Sequence, residues 1–121
     1  MREDKNKDRS GKYAKEREFS FEVDRRDGDK CYFTLSGRVG INEAPEMERK
    51  LENVKESGVI HIIINMSEVK EFTSAGIRVI LSMYKRLKFM GGELKVENPS
   101  EMVRYVFGMT ALDELLLKNA D

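Results

Sequence analysis

Few side chains in this sequence are placed to do chemistry. His61 is the one histidine, and it stands inside the run Val59-Ile60-His61-Ile62-Ile63-Ile64. A metal site there needs further ligands, which neither Ile60 nor Ile62 can supply, so the pattern predicts a core or edge histidine with a hydrogen-bond partner. Cys31 is the one cysteine, with apolar residues alternating around it. It cannot close an internal disulfide and is expected to be a small core hydrophobe in a reducing compartment. Glu46, Glu48, Glu52 and Glu56 share a helical segment and read as its solvated face. No Gly-rich phosphate loop, dinucleotide fingerprint, His-Glu-x-x-His pair or Cys-x-x-Cys is present. Nothing assembles a nucleophile, a base and an oxyanion site, so no enzyme, metal or cofactor is expected. One spot remains. Thr73-Ser74-Ala75-Gly76 follows an apolar strand and opens a long helical pattern, where free N–H groups and the positive helix end favour an anion. A hydroxyl there can carry a phosphate or simply cap the helix, and capping is the plainer reading.

The elements that must position Ser74 are legible as a change of period along the chain. Phe19, Phe21 and Val23 alternate with polar residues, as do Cys31, Phe33 and Leu35. With a turn signal at Asp27-Gly28 these form a hairpin, its turn within residues 25–29 and its end at Gly37. Ile41, Ala44, Met47, Leu51 and Val54 then share one helical face, with Asn42 as the N-cap, Pro45 in the first turn and Gly58 as the stop. Residues 59–64 predict a central, parallel strand covered on both faces, and residues 65–73 a loop. A second helix is expected over residues 74–90, burying Ile77, Ile80, Leu81, Tyr84 and Leu87. Val79 and Met83 add a second apolar edge, and Gly91-Gly92 stop the helix. Ala75 and Gly76 are small, which offers a flat approach to another molecule. Leu94 and Val96 mark a further strand. Asn98-Pro99-Ser100-Glu101 reads as cap, N1 proline and N3 glutamate of a third helix ending near Gly108. Residues 111–118 predict a short terminal helix. The fold class is α/β, a single domain with a mixed four-stranded sheet, an N-terminal antiparallel hairpin plus parallel strands, and helices mainly on one face.

At 121 residues the chain has room for one core. Residues 1–18 carry seven basic and five acidic side chains and almost no apolar ones. They are expected to be a charged, disordered arm ahead of a domain over 19–121. Lys plus Arg and Asp plus Glu balance at 22 each, which disfavours direct nucleic-acid binding. There is no apolar run long enough for a membrane span and no secretory signal, so the chain is expected in the cytoplasm.

The stretch VIHIIINMSEVKEFTSAGIRVILSMYKRLKFM, followed by GGELKVENPSEMVRYVFGMTALDEL, resembles a STAS domain, the family of anti-sigma factor antagonists and of the cytoplasmic domains of sulphate transporters. The resemblance covers residues 19–117. It rests on an apolar strand ending Asn-Met-Ser, a serine-small-Gly tetrad opening a helix, and Gly-Gly-x-Leu before the next strand; Gly37-Arg38-Val39 and Ala44-Pro45-Glu46-Met47-Glu48 add to it. Thr73 and Gly40 stand where many members carry aspartate.

The resemblance implies partner switching. Such a protein binds an anti-sigma factor that is also a serine kinase, is released when the kinase phosphorylates it, here at Ser74, and is reset by a serine phosphatase. The implied partner-binding residues are Gly37, Arg38, Val39, Gly40, Asn42, Glu71, Thr73, Ala75, Gly76 and Arg78, on a monomer or weak dimer. The alternative, motivated by Thr73, is a non-switching adaptor subunit of a stress-signalling or lipid-transport assembly.

Overall fold

The computed structural model of the chain describes residues 18–117; the expected arm over 1–17 and the last residues, 118–121, lie outside them. The elements are β1 (Phe19–Asp27), β2 (Lys30–Val39), α1 (Ala44–Glu56), β3 (His61–Phe72), α2 (Ser74–Phe89), β4 (Glu93–Glu97), α3 (Glu101–Met109) and α4 (Asp113–Leu116). The strands form one sheet in the order β1-β2-β3-β4. β1 runs antiparallel to β2, and β2, β3 and β4 are parallel. This is the expected mixed α/β fold. Cys31, Phe33, Leu35, Ile62, Ile64, Leu94 and Val96 point to the covered face and are buried. Their alternates Tyr32, Thr34, Asn65 and Lys95 are half-buried on the other.

The hairpin is tighter than expected. Asp27 pairs with Lys30, leaving a two-residue loop, Gly28-Asp29. Phe21 and Phe33 stack inside it with ring centres 4.3 Å apart. A register shift between Val23 and Arg25 turns the outer half of β1 to solvent, where Arg25 lies 4.0 Å over the Tyr32 ring. Charges along this edge discourage pairing with another strand.

α1 starts differently from the expectation. Asn42 is not its N-cap and Ile41 is not in the core: Glu43 precedes the helix, and Ile41 is 78% exposed. The start is closed from Gly40, whose carbonyl accepts from Glu43 N and Ala44 N at 3.2 and 3.0 Å. Glu43 Oε1 in turn accepts from Gly40 N at 3.0 Å. A carboxylate three residues into a turn thus satisfies the leading amide, as in a capping box. Ile41 sits in that turn, ahead of the helical period, so Ala44, Met47 and Leu51 carry the burial.

The largest correction concerns β3. The loop expected over residues 65–73 is strand as far as Phe72, paired with β2 up to Val39↔Phe72. Between Thr34↔Asn65 and Ser36↔Glu68, and again between Gly37↔Val69 and Arg38↔Glu71, β3 takes up one extra residue. Met66, Val69 and Phe72 therefore face the core at a spacing of three, which neither strand nor helix periodicity reveals.

α2 is rotated about its axis relative to the expected stripe. Ala75, Gly76, Val79, Ile80, Met83 and Leu87 are buried, while Ile77, Leu81 and Tyr84 are half-buried. The small pair Ala75-Gly76 sets the close approach: a Cβ on Gly76 would lie 2.9 Å from Phe72 Cε1 and 3.0 Å from Val39 Cγ1. α3 begins two residues later than expected. Ser100, not Asn98, is the N-cap, accepting from Val103 N at 3.2 Å and donating to the Val69 carbonyl at 2.8 Å. α4 is shorter than the expected 111–118 segment, and its Leu116 is buried.

Candidate functional site

Ser74 lies where β3 hands over to α2, and Thr73 fixes that junction. Its backbone is extended (φ −96°, ψ −180°) and makes it the N-cap. Thr73 N and Thr73 Oγ1 both donate to the Val39 carbonyl, at 3.0 and 3.1 Å. The hydroxyl that could cap α2 is thereby committed to the end of β2, and no side chain caps the helix. The first intrahelical bond runs from Ile77 N to Thr73 O. Among the described residues, the N–H groups of Ser74, Ala75 and Gly76 find no acceptor, as helix starts leave them. Ser74 occupies the first helical position with an exposed side chain. Its hydroxyl makes no hydrogen bond among the described residues, so the capping reading is corrected. The first turn of α2 contains no acidic residue.

The other expected contact residues divide by burial. Arg38, Asn42, Glu71, Thr73 and Arg78 are exposed and Gly40 is half-buried, whereas Gly37, Val39, Ala75 and Gly76 are buried. The flat approach expected at Ala75-Gly76 is narrowed by burial: Gly76 faces inward and packs α2 onto Phe72 and Val39, and Ala75, also buried, lines a groove wall. Gly37 is structural in a similar way. With φ +89° it allows the Glu18 carbonyl within 2.3 Å of where a Cβ would be, and that carbonyl accepts from Arg38 N at 3.0 Å. Lys70 Nζ donates to Glu18 Oε2 at 2.9 Å, and this hydrogen bond and charge hold the Glu18 carboxyl below its ordinary range. Arg38 and Glu71, register partners on β2 and β3, form an exposed ion pair at 3.4 Å.

Sequence reasoning missed two features beside Ser74. One is Glu43, whose Oε1 lies 3.6 Å from the Cβ position of Gly40, with Thr73 Oγ1 3.9 Å from that point. A carboxylate from the α1 turn thus stands beside Gly40, one of the two positions that lack aspartate. The signal was the Gly-x-x-Glu spacing. The other is a groove of about 300 Å³ between α1 and α2, lined by Ile41, Ala44, Pro45, Glu48, Ala75, Arg78, Val79 and Ser82.

The remaining chemical candidates are placed as structural groups. His61 is a half-buried residue facing Glu93, Nδ1 to Oε2 4.0 Å, so the expected hydrogen-bond partner is absent among the described residues and Nδ1 is left unpaired. Cys31 is buried, and burial pushes its thiol pKa up, away from nucleophilic reactivity. No cluster of three or more His, Cys, Asp or Glu able to hold a metal occurs among the described residues. No helix among them is long and apolar enough to cross a membrane.

With this geometry in hand, similarity to known proteins is specific. The STAS domain model matches residues 20–120. The anti-sigma-B factor antagonist of Bacillus subtilis (strain 168) is 30% identical over 82 residues, spanning 68% of this chain and 74% of that one. The anti-sigma factor antagonist SpoIIAA in its unphosphorylated form superposes with a TM-score of 0.74 at 20% identity, covering 84% of this chain and 90% of that one. The phosphorylated form of Bacillus SpoIIAA gives 0.68 at 19% identity, covering 84% and 93%. The chain belongs to the STAS domain family, within its anti-sigma factor antagonist branch.

Proposed function

We propose that this protein is a cytoplasmic anti-sigma factor antagonist that binds an anti-sigma factor serine kinase while Ser74 is unmodified and is released when Ser74 is phosphorylated, with a serine phosphatase restoring the binding form. It regulates transcription through that partner, with no catalysis, cofactor or nucleic-acid contact of its own. The observation carrying this reading is the Ser74 hydroxyl: exposed, without a hydrogen-bond partner among the described residues, at the uncapped start of a 16-residue helix. A kinase can reach such an oxygen without unfolding the chain. The product phosphate would stand beside the free N–H groups of Ser74, Ala75 and Gly76 at the positive helix end, which stabilises it within this chain. The relatives' names fit this role, and SpoIIAA exists in phosphorylated and unphosphorylated forms.

The switch follows from charge. Phosphorylation adds about −1.5 to −2 charges and three acceptor oxygens to a packed contact. Burying that charge unpaired costs roughly 2–5 kcal/mol, or about 30- to 4,000-fold in affinity. The test uses the serine-kinase anti-sigma factors of the protein's own organism. With kinase and ATP, mass spectrometry should place one phosphate on Ser74 and none on the Ser74→Ala protein. Ser74→Ala should retain the complex and Ser74→Asp should lose it. Phosphate elsewhere, or equal affinities for the two variants, removes the switch.

A further inference from the structure

The groove beside Ser74 continues into a surface that the Ser74 switch leaves unused. α2 (SAGIRVILSMYKRLKF) contains no acidic residue and four cations. Arg86 is paired with Glu52 of α1. Arg78, Lys85 and Lys88 are exposed and have no acidic partner among the described residues. Two carboxylates of α1 are taken, Glu52 by Arg86 and Lys55 and Glu46 by Lys50, while Glu48 lines the groove beside Arg78 with no ion pair among the described residues. Arg78, Ser82, Lys85 and Phe89 follow one another at spacings of four, three and four, so they share one helical face. Phe89, at the far end of that line, is 93% exposed, and Met90 beside it is 46% exposed. At a rise of about 1.5 Å per residue the stripe reaches roughly 22 Å from Ser74.

We propose that the partner's contact runs the whole length of α2, and that the partner presents an acidic amphipathic face there, its carboxylates against Arg78, Lys85 and Lys88 and an apolar pocket around Phe89. This rests on the partner-binding reading above and adds the partner's chemistry and a second anchor remote from the switch. Charge complementarity selects an acidic occupant. The groove shared by Arg78 and Ser82, walled by Glu48 of α1, is concave, a shape suited to a protein segment more than to a flat bilayer, and Glu48 directs the partner's carboxylates outward to Lys85 and Lys88. A second copy joined about a two-fold axis would lay these cations against one another. Steering by the stripe would bring the partner in, while Ser74 decides whether it stays.

The test titrates the full chain with the same anti-sigma factors at low and high salt. Lys85→Glu/Lys88→Glu should weaken the complex by at least about tenfold at low salt and flatten its salt dependence. Phe89→Ala should weaken it without changing that dependence. All these side chains are exposed, so the variants should melt like the parent, and Arg104→Glu, exposed on α3 and off the stripe, should bind as the parent does. Unchanged affinity for the double variant, with Ser74 still phosphorylated and Ser74→Asp still released, overturns this inference and leaves the switch standing. Absence of any complex overturns both. Binding to phosphatidylglycerol vesicles that is lost in the double variant, or self-association through Phe89 seen by sedimentation, assigns the stripe to lipid or to a second copy and equally overturns it.

Discussion

The first five residues of β3, His61 to Asn65, pair on both sides, with β2 and with β4, in unbroken register. The last seven, Met66 to Phe72, pair with β2 alone and absorb two extra residues on the way. The first half is a core element: Ile62 and Ile64 are fully buried and its backbone groups serve the ladder. The second half leaves the carbonyls of Met66 and Val69 outside the ladder, where Ser100 N and Ser100 Oγ bond them at 3.1 and 2.8 Å. The same irregularity brings Phe72 inward and delivers Thr73 to the end of β2, so that Ser74 emerges on the outside. An accessible residue sits where regular pairing stops, and α3 supplies the hydrogen bonds that make the departure tolerable.

Substitutions in the two halves should separate their roles. Ile62→Ala, in the regular half, should cost about 2–5 kcal/mol, read as a lower urea midpoint with one cooperative transition. Gly76→Val strikes the packing of α2 onto the irregular half. Overpacking against Phe72 and Val39 should cost about 1–3 kcal/mol, and amide exchange should quicken first around residues 72–77. A uniform loss of protection would show that the two halves are one unit. Ser100→Ala removes a cap and leaves the Val69 carbonyl without its partner, so about 1–2 kcal/mol should be lost by thermal or urea unfolding.

The smallest effect lies where the chain meets Gly37. Lys70 lowers the Glu18 pKa, so the unfolded state binds this proton more readily. Its stabilising contribution is therefore present above the unfolded carboxyl value and fades as pH falls through the lower folded one. Both side chains are exposed, so salt should screen the effect. Glu18→Gln should remove a slight, salt-sensitive part of the acid destabilisation in urea titrations across that range. No change in the pH profile would leave the pair without energetic weight.

Much of the frame was readable in the residues, because burial imposes periods. Phe19 to Val23 and Cys31 to Leu35 alternate, so the hairpin was clear. Met47 and Leu51 identified α1 once three- and four-residue steps replaced two. Where a residue's role depends on a partner distant in sequence, the pattern is silent or misleading. Val69 and Phe72 fit no period because their spacing belongs to the extra residues of β3. Val79 and Met83 cannot be told from Ile77 and Tyr84 by type, since all four are apolar, and only the close approach at Gly76 decides which face turns inward. Ser100 competes with Asn98 as a cap on equal chemical terms, and the Val69 carbonyl breaks the tie.

By itself the sequence determined the order of strands and helices, the single core, the position of Ser74 at a helix start and the likeness to STAS domains. These follow from local periods, caps and motifs, which need no knowledge of distant contacts. Tertiary structure alone decided that Thr73 spends its hydroxyl on Val39 and leaves Ser74 uncapped, that Ile41 stands out in solvent, and that Glu43 guards Gly40. The cations of α2 were visible as letters. That Arg86 is neutralised while Arg78, Lys85 and Lys88 are not depends on which side of the helix meets α1, because a charge is cancelled only by what lies within a few ångströms of it.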